Sequence, residues 1–129
     1  DVAHNPEAAR NLADNLRAHP VAGRTVAVLG MLADKDVAGV LAPLTGLIDG
    51  WHVATLDGPR GMTAQQLTTR LAVCGITAPQ THDDVASACR AGQQAAGTGG
   101  RVLVFGSFHT VEQALRSGVL PAGGHAATL

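Results

Sequence analysis

The stretch TVAVLGMLADKD, residues 25–36, decides how this chain folds. Its opening run is almost continuously apolar, where a strand with one wet face would alternate apolar and polar residues. An unbroken run fits a strand covered on both faces, the situation of a parallel sheet flanked by helices. Gly30 then ends the run, and a polar turn closing on Asp34, Lys35 and Asp36 follows. In open parallel sheets ligands sit beyond the carboxyl ends of the strands, where such turns meet the starts of helices.

Outward from this stretch the same grammar repeats. WHVATL (51–56) and RVLVFG (101–106) read as further strands, and GITAPQ (75–80) as a weaker one that Pro79 confines to an edge or a strand end. Helices fill the intervals. PEAARNLADNLRAH (6–19) presents Ala8, Ala9, Leu12 and Leu16 on one face, with Asn5 as its cap, Pro6 at the first helical position and Glu7 at the positive end. DVAGVLAPLTGLI (36–48) is ended or kinked by Pro43. In TAQQLTTRLAVC (63–74), Thr63 and Gln66 stand at capping-box spacing, as do Thr110 and Gln113 in TVEQALRSG (110–118), which Gly118 stops. DDVASACRAGQQAA (83–96) completes the set. The alternation predicts an α/β, Rossmann-like three-layer domain with a mainly parallel sheet. Its first helix has no preceding strand here, so the first strand of the sheet is expected to be missing from this chain. Residues 1–120 form the expected domain, and PAGGHAATL (121–129) reads as a tail.

Composition narrows the function classes. With 46% apolar and 15% charged residues, the 129-residue chain suits one globular domain with a real core. Aromatic residues are limited to Trp51, Phe105 and Phe108, so that core must be aliphatic. A net charge of −1 with interspersed signs argues against a nucleic-acid partner. No apolar run suits a membrane span and no signal peptide opens the chain, which predicts a cytoplasmic protein. Cys74 and Cys89 form no Cys-x-x-Cys pair and read as free thiols; no His or Cys spacing suggests a metal site. There is no G-x-x-x-x-G-K-[ST] phosphate loop, and GTGG (97–100) precedes a strand instead of following one.

The unusual residues gather in four turns. Asp1 and His4, in DVAHNP, either meet a ribose, phosphate or cation-bound water, or satisfy backbone groups at a helix entrance. Lys35, the only lysine, lies between two carboxylates; a solvated cluster is the common meaning, and its place beyond a buried strand points to a ligand. Arg60, in DGPRG (57–61), clamps an anion or cross-links loops. Ser107 and His109 follow the last strand in GSFHT (106–110), where a small hydroxyl meets a ligand carboxylate or caps the next helix.

In order along the chain, DVAHNP, LGMLADKD, PRG and VFGSFHTV resemble the C-terminal domain of folylpolyglutamate synthases, including those that also act as dihydrofolate synthases, in the Mur ligase superfamily. The resemblance runs from Asp1 to about Leu115 and is most specific in Asp-x-Ala-His-Asn-Pro. It implies an ATP-dependent ligase in which a folate carboxylate becomes an acyl phosphate that the amine of glutamate attacks. It further implies that Asp1 and His4 contact ATP, with His4 supporting catalysis, and that Lys35 and Ser107 serve glutamate. Asp34, Arg60 and His109 are additional candidates, and no residue of this chain is assigned to metal. ATP and Mg2+ would be bound mostly by a preceding P-loop domain of the same enzyme. This fragment alone is therefore expected to be inactive. The alternatives are a Mur ligase of peptidoglycan precursor synthesis and a stand-alone nucleotide or small-molecule-binding module.

Overall fold

Both faces of β1 (Thr25–Leu29) are covered, as its unbroken apolar run requires. The structure, a computed structural model, describes residues 5–118 and 125–126. Ala27 and Leu29 enter one core cluster, while Val26 and Val28 enter the other. The same division holds in β4 (Arg101–Phe105), with Leu103 and Phe105 on the first side and Val102 and Val104 on the second. β1 pairs with β4 on one edge and with β2 (Gly50–Ala54) on the other. β3 (Gln80–His82) lies outside β2, and β5 (His125–Ala126) lies outside β4. The order is β3-β2-β1-β4-β5, and every pairing is parallel.

α1 (Asn5–Ala18), α2 (Val37–Leu41) and α3 (Ala64–Val73) contribute Ala9, Val40 and Leu67 to the first cluster. α4 (Val85–Ala96) and α5 (Phe108–Ser117) contribute Ala88, Cys89 and Ala114 to the second. This is the expected three-layer α/β architecture. Phe105 is fully buried and meets Trp51 edge-on, with ring centroids 6.3 Å apart. Its burial contributes roughly 2–3 kcal/mol in a core otherwise built from small aliphatic side chains. At the opposite end of β4, buried Arg101 donates to Thr25 Oγ1 at 3.0 Å, His19 O at 2.6 Å and Leu16 O at 3.3 Å. It thereby satisfies carbonyls at the end of α1 and fastens that helix to the sheet.

Several boundaries differ from the sequence reading. α1 includes Asn5 instead of starting after it. α2 gives way to a 3-10 turn over Ala42–Leu44, where Pro43 cannot continue the α-helical hydrogen bonds. β3 begins only at Gln80, beyond Pro79, because proline has no N–H to offer the ladder. α5 is capped by Ser107, whose Oγ accepts from Thr110 N at 3.1 Å; the expected Thr110–Gln113 capping box is absent because Thr110 already lies inside the helix. The segment read as a tail supplies β5, which pairs through Leu103↔His125 and Val104↔Ala126. The Thr63–Gln66 capping box and the left-handed Gly118 stop are both present.

Candidate functional site

At the carboxyl edge, the turns after β1 and β2 are tied into one platform. Leu32 and Gly61 form an isolated antiparallel bridge. Ala33 N donates to Arg60 O at 2.8 Å, and Met62 N donates to Met31 O at 3.0 Å. Arg60 Nη2 reaches Asp34 Oδ2 at 2.8 Å across these turns. That hydrogen bond holds the Asp34 carboxyl below the usual carboxylate range, with its desolvation opposing and the Arg60 charge assisting. Of the two readings of Arg60, the structure contains the loop cross-link. Asp36 is occupied as the cap of α2, accepting from Gly39 N at 3.0 Å.

Lys35 stands apart from these pairs. It is half-buried between two engaged carboxylates, and its ammonium makes no ion pair or hydrogen bond among the described residues. Next to this platform is a cavity of about 290 Å³ between the turn after β2 and the start of α5. Leu32 and Leu56 give it apolar walls, and Asp57, Arg60, His109 and Gln113 give it a polar rim. His109 is therefore brought to Arg60, whereas Lys35, Asp34 and Ser107 are not part of this lining. Gln113 was missed as a site residue; its spacing of four from His109 on one helix was the available signal.

Ser107 is almost fully buried, at 1% exposure, and its role here is the helix cap. Its Oγ also lies 2.8 Å from Thr110 Oγ1, which donates to Gly30 O at 2.6 Å. The end of β4 and the turn after β1 approach so closely at this point that a Cβ on Gly106 would run into the Gly30 carbonyl. Gly106 also has φ +116°, a backbone state that side chains disfavour. Asp1 and His4 lie outside the described residues. Among those described, no group of three or more His, Cys, Asp or Glu could hold a metal ion, and no helix is long and apolar enough to cross a membrane. Cys74 and Cys89 are free, and burial pushes the Cys89 thiol up to about 11. Such a thiol is a packing group, not a nucleophile.

One histidine pair was also missed. His52 in β2 and His82 in β3 stack with ring centroids 5.1 Å apart, and His52 Nδ1 lies 2.9 Å from His82 Nε2. Burial lowers the pKa of both from their ordinary 6.5. Neither histidine lines the cavity.

The polar turns of this parallel α/β sheet collect at its carboxyl edge, the place where open sheets of this class bind ligands. The model of the Mur ligase glutamate ligase domain matches residues 1–108, and the chain belongs to that family. Among its relatives, the dihydrofolate synthase/folylpolyglutamate synthase of Escherichia coli is 49% identical over 111 residues, covering 86% of this chain. The bifunctional folylpolyglutamate synthase/dihydrofolate synthase of Yersinia pestis, solved with AMPPNP and Mn ion, superposes with a TM-score of 0.79 at 44% identity, over 93% of this chain and 28% of that one. A structure of a bifunctional enzyme of the same name with Mn, AMPPNP and L-glutamate bound gives a TM-score of 0.77 at 42% identity, over 93% of this chain and 28% of that one. The chain spans about a quarter of the length of the curated relatives it matches, 25% for the Escherichia coli protein.

Proposed function

We propose that this chain is the glutamate-handling domain of a cytoplasmic ATP-dependent ligase that adds glutamate to a folate, acting as folylpolyglutamate synthase and also as dihydrofolate synthase. The observation that carries this reading is the 49% identity to an enzyme of that name over 86% of the chain. Residues 1–120 make up the proposed functional domain, with β5 completing its sheet. In this reading a carboxylate of the folate is phosphorylated by ATP and the glutamate amine displaces the phosphate to leave an amide.

The chain's own contribution is positioning and charge. Lys35 supplies a cation with uncommitted donors to the two carboxylates of glutamate. Arg60, already oriented by Asp34, and His109 extend the cationic and polar surface toward the cavity. Ser107 belongs to the same end of the site. Asp1 and His4 face the nucleotide, and His4 assists the chemistry there. Holding an amine against an acyl phosphate while excluding water accounts for much of such catalysis. The described residues do not form a magnesium site by themselves. Mg2+, which neutralises phosphate charge when bound, would be held together with ATP by a preceding P-loop domain, the partner in this proposal. The 49% identity to the folate enzyme favours it over the peptidoglycan-precursor branch and over a free-standing binding module.

The test is phosphate release by the complete protein with ATP, a reduced folate and L-glutamate, with the product's gain of a glutamyl residue read by mass. Release that requires all three substrates is the expected result. Activity with a nucleotide-linked sugar peptide, and none with folate, would replace this reading with the peptidoglycan-precursor branch.

A further inference from the structure

The turn that carries Lys35 is held by packing at its two ends and by polar bonds at its apex. Met31 and Val37 are buried in the first core cluster, whereas none of residues 33–36 between them is buried. The apex therefore takes its position from hydrogen bonds. Both backbone groups of Ala33 are used in this way: its N donates to Arg60 O at 2.8 Å, and its O accepts from Arg70 Nη2 at 3.2 Å. The side chain of Asp34 is tied to Arg60, and that of Asp36 caps α2.

Arg70 reaches this apex from a separate element, the last turn of α3. That helix is a firm support. Leu67 and Leu71 are fully buried, the Thr63–Gln66 capping box closes its start, and Ala64 N donates to Thr55 Oγ1 at 2.9 Å. Arg60 also holds the turn, but it rims the cavity as well; Arg70 does not line the cavity and makes no ion pair among the described residues. Its guanidinium is directed at a carbonyl two residues before Lys35. We infer that Arg70 is a positioning residue for the amino-acid substrate: by holding the Ala33 carbonyl from α3, it fixes where Lys35 is presented at the carboxyl edge. This rests on the proposed ligase function and adds to it a support for Lys35 from outside the site. Ala33 is exposed, so water can take over its carbonyl when the arginine is lost. The cost then falls on the order of the turn and hardly on the stability of the fold.

The experiment compares Arg70→Met, Lys35→Ala and the double variant in the complete ligase. Methionine keeps an unbranched, helix-favouring side chain and removes the donors. Arg70→Met should raise the KM for glutamate about fivefold, the scale of one solvent-accessible hydrogen bond from a charged group. The kcat and the KM for ATP should stay within about twofold, with the urea midpoint unmoved. Adding Arg70→Met to Lys35→Ala should cost nothing further, because the arginine acts through the lysine. A comparable rise in the KM for ATP, or a further fivefold loss on top of Lys35→Ala, would overturn the positioning role. A wild type inert toward glutamate would overturn the assigned function and this inference with it. An active wild type with an unchanged Arg70→Met KM would overturn the positioning role alone.

Discussion

The two ends of the sheet use similar chemistry to opposite ends. At the amino end, the charged side chains are spent on the fold: Arg101 reaches Thr25, His19 and Leu16, and the Asp49 carboxylate accepts from Thr25 N at 2.8 Å. Arg24 likewise reaches Asp49 O at 3.2 Å. At the carboxyl end, Asp34, Asp36 and Arg60 fasten the turns, yet Lys35 makes no ion pair or hydrogen bond among the described residues and a polar-rimmed cavity remains beside the Arg60 turn. A functional edge is thus distinguished by hydrogen-bonding capacity left over after folding, more than by the number of its charges.

Removing a charge at each end should have different consequences. Arg101→Ala is expected to destabilise the fold by about 3 kcal/mol, since it strips buried carbonyls of a charged donor. Urea denaturation reads this, and the KM values of surviving enzyme should not move. Lys35→Ala should do the reverse in the complete ligase, lowering kcat/KM for glutamate about thirtyfold with an unchanged denaturation midpoint. A stability loss as large as that of Arg101→Ala would mean Lys35 serves the fold, and the contrast between the two ends would fail.

A weaker contrast concerns pH. Because burial lowers the folded-state pKa of His52 and His82, the unfolded chain binds protons more readily. Their contribution to stability is complete above the unfolded value of 6.5 and declines as pH falls through it, levelling off below the folded values. Asp83 and Asp84 oppose the shift of His82, while the Arg24 charge adds to that of His52. The urea midpoint should therefore drop between about pH 7.5 and 5.5, and His82→Gln should flatten that slope. The smallest effect is expected for Asp34→Asn. Its exposed pair with Arg60 should leave the melting temperature unchanged, with only a modest change in glutamate KM from a less fixed Arg60. A marked fall in melting temperature would assign the pair to the scaffold.

The doubly covered strands were readable because burial on both faces writes an unbroken apolar run, as in β1 and β4. β3 and β5 carry no such signature. The former is a short edge strand of polar residues, and the latter is two residues defined by pairing with β4. Ser107 and Thr110 both suit a helix cap by residue type, and the sequence had no means of choosing between them. The choice comes from tertiary packing: Thr110 is needed inside the helix to reach Gly30. The same limit applied at the site. Lys35, Arg60 and His109 could be located at the carboxyl edge from strand order alone. That Arg60 is held by Asp34, that Ser107 is buried, and that Gln113 joins His109 at the cavity depend on distances between segments far apart in the chain.

The bridge between Leu32 and Gly61 also bears on how such a site can diversify. With Ala33 N on Arg60 O and Met62 N on Met31 O, the two turns are stitched at matched positions, so a residue gained or lost within 31–33 or 60–62 unpairs the other segment. Insertions that ordinary surface loops absorb at little cost are therefore costly within these two segments. A lineage that needed a different ligand preference would change it at lower cost by exchanging side chains on the stitched platform.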